Sequence, residues 1–247
     1  NRVMYQNIFL DIKKMKMHIW DDQRGHLEVP YRKYAYVKDG NGQHVSLYGD
    51  RLKKVTNYDK DDPTLHESDV PPTTRFLVDN YGDSDEMSVG HRVMFFDIEV
   101  EVTDGFPDVQ KAQNIITSIA LYDCITEKYF TYCFDPHKRI ESYSKDDEVV
   151  EFYDTEYEML NKFFQKYLEI RPTIVSGWNS EFFDIPYLYN RAVRVLGPEV
   201  ANLLSPISQV LYSEYKKKHT IAGVSSLDYL QLYRQFTFGQ KSSYRLD

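Results

Sequence analysis

Arg92-Val-Met-Phe-Phe-Asp-Ile-Glu-Val-Glu101 reads as a strand, and the rest of the fold follows from its position in the chain. Side chains two apart on a strand share a face. Asp97 and Glu99 therefore point one way, and Phe96 and Ile98 the other. Two further strand-like runs follow closely, at 115–122 and 128–134, which suits an antiparallel meander. A helix is predicted from Thr155, where Thr155 and Glu158 have capping-box spacing. Its apolar positions Leu160, Phe163, Phe164, Tyr167 and Leu168 fall on one face, and Pro172 ends it. Then come a short buried strand at 173–176 and a second helix starting just after Asp184. Pro186 suits the first turn of that helix, and Gly197-Pro198 closes it.

Three strands, a helix, a strand and a helix is the order of an α/β domain with a mixed sheet, such as the ribonuclease-H-like folds. The chain upstream has a different character. Met15, Met17 and Ile19 alternate with polar residues, as on a half-buried strand. The runs 34–37 and 44–48 flank Asp39-Gly-Asn-Gly42, which predicts a hairpin. The stretch 58–74 is acidic, contains prolines and lacks periodicity, so it reads as a connector. The expected division is a small β-rich N-terminal domain with its connector over 1–91, and the α/β domain over 92–247.

A net charge of −8 argues against coating duplex DNA by bulk electrostatics. It leaves open an enzyme of phosphodiester chemistry, which needs acidic residues. No apolar run is long enough to span a bilayer, so no membrane association is expected. The start at Asn1 shows no signal-peptide segment and reads as cut or processed. Cys124 and Cys133 are too few for a disulfide framework and lack metal-ligand spacing, which suits a reducing, cytoplasmic compartment. The histidines lack ligand spacing, and neither a nucleophile elbow nor a glycine-rich phosphate loop occurs. The acidic stretch 146–158 reads as a solvated loop and helix start. Tyr31, Tyr34 and Tyr36, beside Arg32 and Lys33, read as packing in preference to a stacking platform for single strands.

Asp97 and Glu99 inside an apolar strand repel each other and lose solvation, and a divalent cation between them is the natural remedy. A solvated acidic face on an edge strand is the plainer alternative. A third carboxylate, Asp184, stands at the strand-to-helix junction Gly177-Trp-Asn-Ser-Glu-Phe-Phe-Asp-Ile-Pro-Tyr187. Asp184 as a helix cap and Asn179 as a turn residue are the plainer alternatives there. Together, the three carboxylates are what a two-metal phosphodiesterase requires.

Phe96-Asp-Ile-Glu99 followed by Gly177-Trp-Asn-x-x-x-Phe-Asp-Ile-Pro-Tyr187 resembles the first and second exonuclease motifs of the family B DNA polymerases. The likeness is to the T-even-like phage type, with Thr103-Asp-Gly-Phe-Pro107, Leu227-Asp-Tyr-x-x-Leu-Tyr233 and Ser243-Tyr-x-Leu-Asp247 also shared. It covers most of 92–247 and is weaker over 1–91, where it implies the polymerase N-terminal domain. The resemblance implies a proofreading 3′→5′ exonuclease that uses two divalent ions, Mg²⁺ or Mn²⁺. It implies that Asp97, Glu99 and Asp184 are the catalytic and metal-holding carboxylates, with Asp97 touching both ions. Phe106 matches an aromatic that packs on the terminal bases, while Asn179 and Phe183 match surrounding motif positions. The segment 209–223 matches a hairpin that helps part primer from template. Its Lys216, Lys217 and Lys218 either meet DNA phosphates or sit on an ordinary solvated turn.

Two parts of the family pattern have no counterpart in the sequence. Tyr244-Arg-Leu-Asp247 lacks the spacing of the third motif, Tyr-x-x-x-Asp, and the palm motifs are missing. The resemblance thus implies a fragment that is weak or inactive alone. Its partners would be frayed primer–template or single-stranded DNA, the remaining polymerase in cis or as a separate chain, and a sliding clamp through that remainder. A phage-encoded protein would work in the host cytoplasm. A non-catalytic nucleic-acid-binding or assembly half of a split polymerase is the alternative, and a stand-alone nuclease of the same fold is a third.

Overall fold

The alternation at Met17 and Ile19 builds the first sheet. The structure, a computed structural model, describes residues 2–237, 239, 241 and 243–246, and contacts divide the chain into units 1–89 and 90–247. In the first unit, β1 (Tyr5–Asp11), β2 (Lys16–Asp21) and β3 (Gly25–Pro30) form an antiparallel meander. Met17 and Ile19 are buried in a small core with Tyr31 and Tyr81, whereas Met15 lies in the turn before β2 at φ 52°. A second sheet has the order β5-β6-β4-β7, from β4 (Ala35–Lys38), β5 (His44–Val45), β6 (Arg51–Val55) and β7 (Leu65–His66).

Two expectations are corrected in this unit. Asp39-Gly-Asn-Gly42 does turn, with the Gly42 N–H donating to the Asp39 carbonyl at 2.8 Å, but the strands it joins do not pair. Both β4 and β5 pair with β6 instead. The chain leaving the turn runs against β6 so closely that a Cβ on Gly42 would lie 2.2 Å from the Leu52 carbonyl oxygen. The stretch 58–74 is not a bare connector either. It supplies β7, which pairs with β4, and the start of α1 (Pro72–Tyr81). Tyr34 packs beneath the buried Arg75 guanidinium at 4.2 Å, and Tyr31 is core.

The second unit centres on β8 (Val93–Val100), β9 (Ile116–Asp123) and β10 (Lys128–Phe134), the antiparallel meander. β11 (Tyr143–Lys145) and β12 (Glu148–Tyr153) extend it, with β12 parallel to β10. This corrects the loop expected at 146–158. Asp146 and Asp147 sit at the turn into β12, but Glu148–Tyr153 take ladder positions against β10. α2 (Glu156–Ile170) starts at Thr155, whose side chain accepts the Glu158 N–H at 3.2 Å. It buries Leu160, Phe163, Phe164 and Tyr167 as expected, together with Met159 and Ile170. Leu168 falls beyond the edge of that arc and is exposed.

β13 (Ile174–Gly177) returns beside β8, parallel to it, and leads to α3 (Asp184–Leu196). α4 (Pro198–Ala201), the hairpin β14 (Val210–Ser213) and β15 (Lys218–Ile221), β16 (Ser225–Asp228) and α5 (Tyr229–Phe236) complete the unit. The seven-stranded sheet has the order β11-β12-β10-β9-β8-β13-β16. It is a mixed α/β sheet of ribonuclease-H-like type, with α2 and α3 covering the face that carries Met94, Phe96 and Ile98. Among the described residues no helix is long and apolar enough to cross a membrane.

Candidate active site

The middle strand changes character along its length. From Val93 to Phe95 it has neighbours on both sides; β13 then leaves at Gly177, and β9 alone continues. The freed backbone of β8 needs a new partner. The Ile98 N–H finds it in the Asp184 carboxylate, donating to Oδ1 at 3.0 Å. Gly177 permits the departure, since a Cβ there would stand 2.7 Å from the Phe96 carbonyl oxygen. Asp97 and Glu99 project from the open face of β8, and β8 is not an edge strand.

Asp184 is the first helical residue of α3, with Phe183 in the cap position making no side-chain cap. Its carboxylate reaches sideways to the strand, which separates it from an ordinary capping aspartate. It is 2% exposed. Burial pushes its carboxyl well above the usual carboxylate range, and the neighbouring Asp97 carboxylate, within hydrogen-bonding reach, adds to the rise. Among the described residues no lysine or arginine pairs with Asp97, Glu99 or Asp184. Nor do any three His, Cys, Asp or Glu side chains there converge closely enough to hold one ion by themselves.

A cleft of about 630 Å³ opens over these acids. Asp97, Glu99, Phe106, Asn179, Phe183 and Asp184, all picked out from the sequence, line it. Phe106 is 81% exposed and its ring lies 5.4 Å from that of Phe183, which in turn meets Tyr187. Asn179 is indeed a turn residue, at φ 58°, a left-handed conformation that asparagine tolerates, and it lines the cleft as well. The lysines stand elsewhere, Lys216 and Lys217 on the turn between β14 and β15 and Lys218 at the start of β15, all outside the cleft lining. Lys217 pairs with Glu214 at 3.0 Å and Lys218 with Glu181 at 3.5 Å.

Some of the site escaped the sequence reading. Trp178, Leu230, Tyr244 and Arg245 also line the cleft, and the Trp178 indole N–H donates to the Tyr244 carbonyl at 2.8 Å. Asp228 is buried just behind the loop that carries Asn179. An aspartate directly before a helix signals a cap, and Asp228 does cap α5; nothing in the spacing announced its second set of contacts. Asp247 lies outside the described residues.

Residues 83–247 match the pattern of the DNA polymerase family B exonuclease domain. The DNA-directed DNA polymerase of Escherichia phage RB69 is 34% identical over 185 residues, 63% of this chain and 20% of that protein. That of Enterobacteria phage T4 is 33% identical over 202 residues, 70% of this chain and 22% of that protein. DNA polymerase 1 of Saccharolobus solfataricus is 32% identical over 145 residues, 53% of this chain and 16% of that protein. The chain spans about a fifth of the length of the two phage relatives.

Proposed function

The chain belongs to DNA polymerase family B through its exonuclease domain, and from that membership we propose that residues 90–247 hydrolyse nucleotides from the 3′ end of DNA, the proofreading step. The observation that carries this reading is the proximity of Asp97 and Asp184 in a cleft that the Phe106–Phe183 pair also lines.

The donor set fits hard divalent cations. Mg²⁺ takes one or two carboxylates and completes its shell with water and substrate phosphate, so a site without three converging protein ligands is no obstacle. When bound, such ions polarise the scissile phosphate and lower the pKa of the attacking water. Asp97, Glu99 and Asp184 would hold them, since all three line the cleft. Phe106 and Phe183 offer faces to the terminal bases, and stacking of this kind tolerates any sequence. Asn179 shapes the same wall. Lys216, Lys217 and Lys218 are the proposed phosphate contacts beyond the cleft, which requires Lys217 and Lys218 to exchange their carboxylate partners for DNA.

The wider role follows by family: single-stranded or frayed primer–template DNA as substrate, with the rest of a polymerase and its sliding clamp as partners. The third-motif carboxylate has no counterpart in residues 1–247, so this chain by itself is proposed to turn over slowly. The test is 5′-labelled single-stranded DNA with Mg²⁺ or Mn²⁺. A slow ladder shortened from the 3′ end, lost in Asp97→Ala, is the expected result. Degradation that persists in Asp97→Ala, or that starts from the 5′ end, overturns the reading.

A further inference from the structure

β13 and β16 run parallel and end together, with Gly177 opposite Asp228. From that shared end one chain enters the loop bearing Asn179, Phe183 and Asp184, and the other enters α5. Asp228 joins the two. Its Oδ1 accepts the Leu230 N–H at 2.9 Å, capping α5, and also the Asn179 N–H at 2.9 Å. Its Oδ2 accepts the Glu181 N–H at 3.2 Å. Asp228 is 3% exposed and does not line the cleft.

The loop has further restraints: the buried Ser180 hydroxyl donates to the Gly177 carbonyl at 3.4 Å, and Glu181 pairs with Lys218 at 3.5 Å. Asn179 sits at φ 58°, and its carbonyl accepts the Phe183 N–H at 3.1 Å, while the Ser180 carbonyl accepts the Ile185 N–H at 2.9 Å. The N–H groups of Asn179 and Glu181 turn inward, away from the cleft, and a single carboxylate satisfies both. A buried N–H without a partner is unfavourable, so losing that carboxylate forces the loop to re-form toward water. Asp184 is five residues beyond Asn179 and must meet Asp97 within hydrogen-bonding reach.

We propose that Asp228 is a positioning residue for the acidic cleft: by clamping the Asn179–Glu181 backbone it sets where Asp184 stands relative to Asp97, and thereby the affinity for divalent cations. The proposal rests on the hydrolytic reading of the cleft. Its test is Mn²⁺ binding to the 247-residue chain, followed through the electron paramagnetic resonance of the free ion, with DNA absent. Asp228→Asn keeps one acceptor oxygen but turns an NH₂ toward a backbone N–H. Asp228→Ser keeps the helix cap and loses the reach across to the loop. Both are expected to weaken Mn²⁺ roughly 10- to 100-fold at a temperature where circular dichroism shows them folded. Thr155→Ala, which removes the cap of α2, lowers stability and leaves Mn²⁺ affinity unchanged. Unchanged Mn²⁺ affinity in both Asp228 variants overturns the positioning role and leaves the cleft reading intact. Wild type that binds no Mn²⁺, or binding indifferent to Asp184→Asn, overturns the cleft reading and the positioning role with it.

Discussion

Asp184 accepts a hydrogen bond from the backbone N–H of Ile98, the residue between Asp97 and Glu99 on β8. One carboxylate is thus tied to the peptide between two others, 86 positions away in sequence. The strand dictates the spacing of Asp97 and Glu99, and this bond brings the third acid to them. The arrangement is electrostatically unfavourable in the absence of a cation, and that has consequences for stability.

Asp184→Asn is expected to stabilise the metal-free protein. A buried carboxyl whose folded pKa lies above its unfolded value favours folding fully below the unfolded pKa, near 4, and that contribution is lost as pH rises through the folded value. Asparagine keeps an oxygen for the Ile98 N–H and never ionises. Thermal melts in a chelator should show no gain at pH 4 and a growing gain toward pH 9, about 2–4 °C for each kcal/mol relieved. A constant difference across that range would mean the carboxyl does not titrate in it. The same variant should lose metal-dependent nuclease activity, separating stability from function.

Asp123 shows the opposite sign. It is buried at the end of β9 and bonded to Arg92 Nε at 2.9 Å and Nη2 at 2.5 Å. Chiefly through that guanidinium, its carboxyl is held well below the usual carboxylate range. The stabilisation is therefore present above the unfolded pKa, near 4, and is lost as pH falls toward the folded value. Asp123→Asn is expected to cost roughly 2–3 kcal/mol at pH 7, since one partner of a charged hydrogen-bonded pair is removed. Urea unfolding should show the gap between variant and wild type narrowing at pH 3; an equal gap at both pH values would sink this account.

Gly177→Ala tests how β13 leaves the sheet. The added methyl would lie 2.7 Å from the Phe96 carbonyl oxygen, a backbone atom of the strand that carries Asp97. Either β13 or β8 must shift, at about 1–3 kcal/mol as overpacking generally does. Because the shift falls between the segments that carry Asp97 and Asp184, the nuclease activity proposed for the cleft is expected to drop by more than the stability loss explains, measured where the variant remains folded. Normal activity in a destabilised variant would show that the loop adjusts independently of the strand.

The sequence disclosed the parts whose information is local. Alternation in β8, the Thr155 cap and the helical spacing of Phe163, Phe164 and Tyr167 each require only nearby residues, and the structure has all of them. Pairing choices were harder to see. Asp39-Gly-Asn-Gly42 has the right turn chemistry, yet β4 and β5 share β6 as partner because register depends on strands further along. β12 was hidden because its acidic start resembles a loop, and only the ladder with β10 makes it a strand. Asp97 and Glu99 stand out as carboxylates in an apolar strand, whereas Asp184, at a helix start, is singled out only together with them and through the motif resemblance. Asp228 does not stand out, since its bonds to the Asn179 and Glu181 backbone leave no trace in residue type.

Phe106 gives the cleanest separation of binding from folding. Its ring is 81% exposed, so Phe106→Ala removes little buried surface and should leave the melting temperature within about 1 °C, as surface changes usually do. What it takes away is one half of the aromatic pair with Phe183. Base–aromatic stacking is worth about 1–3 kcal/mol per base, so single-stranded DNA should bind roughly 5- to 160-fold more weakly. Fluorescence anisotropy with Ca²⁺ in place of Mg²⁺ reads binding while hydrolysis is suppressed. Asp228→Asn, by contrast, is expected to weaken the metal more than the DNA. A Phe106→Ala protein that binds single strands as tightly as wild type would remove Phe106 from the substrate path.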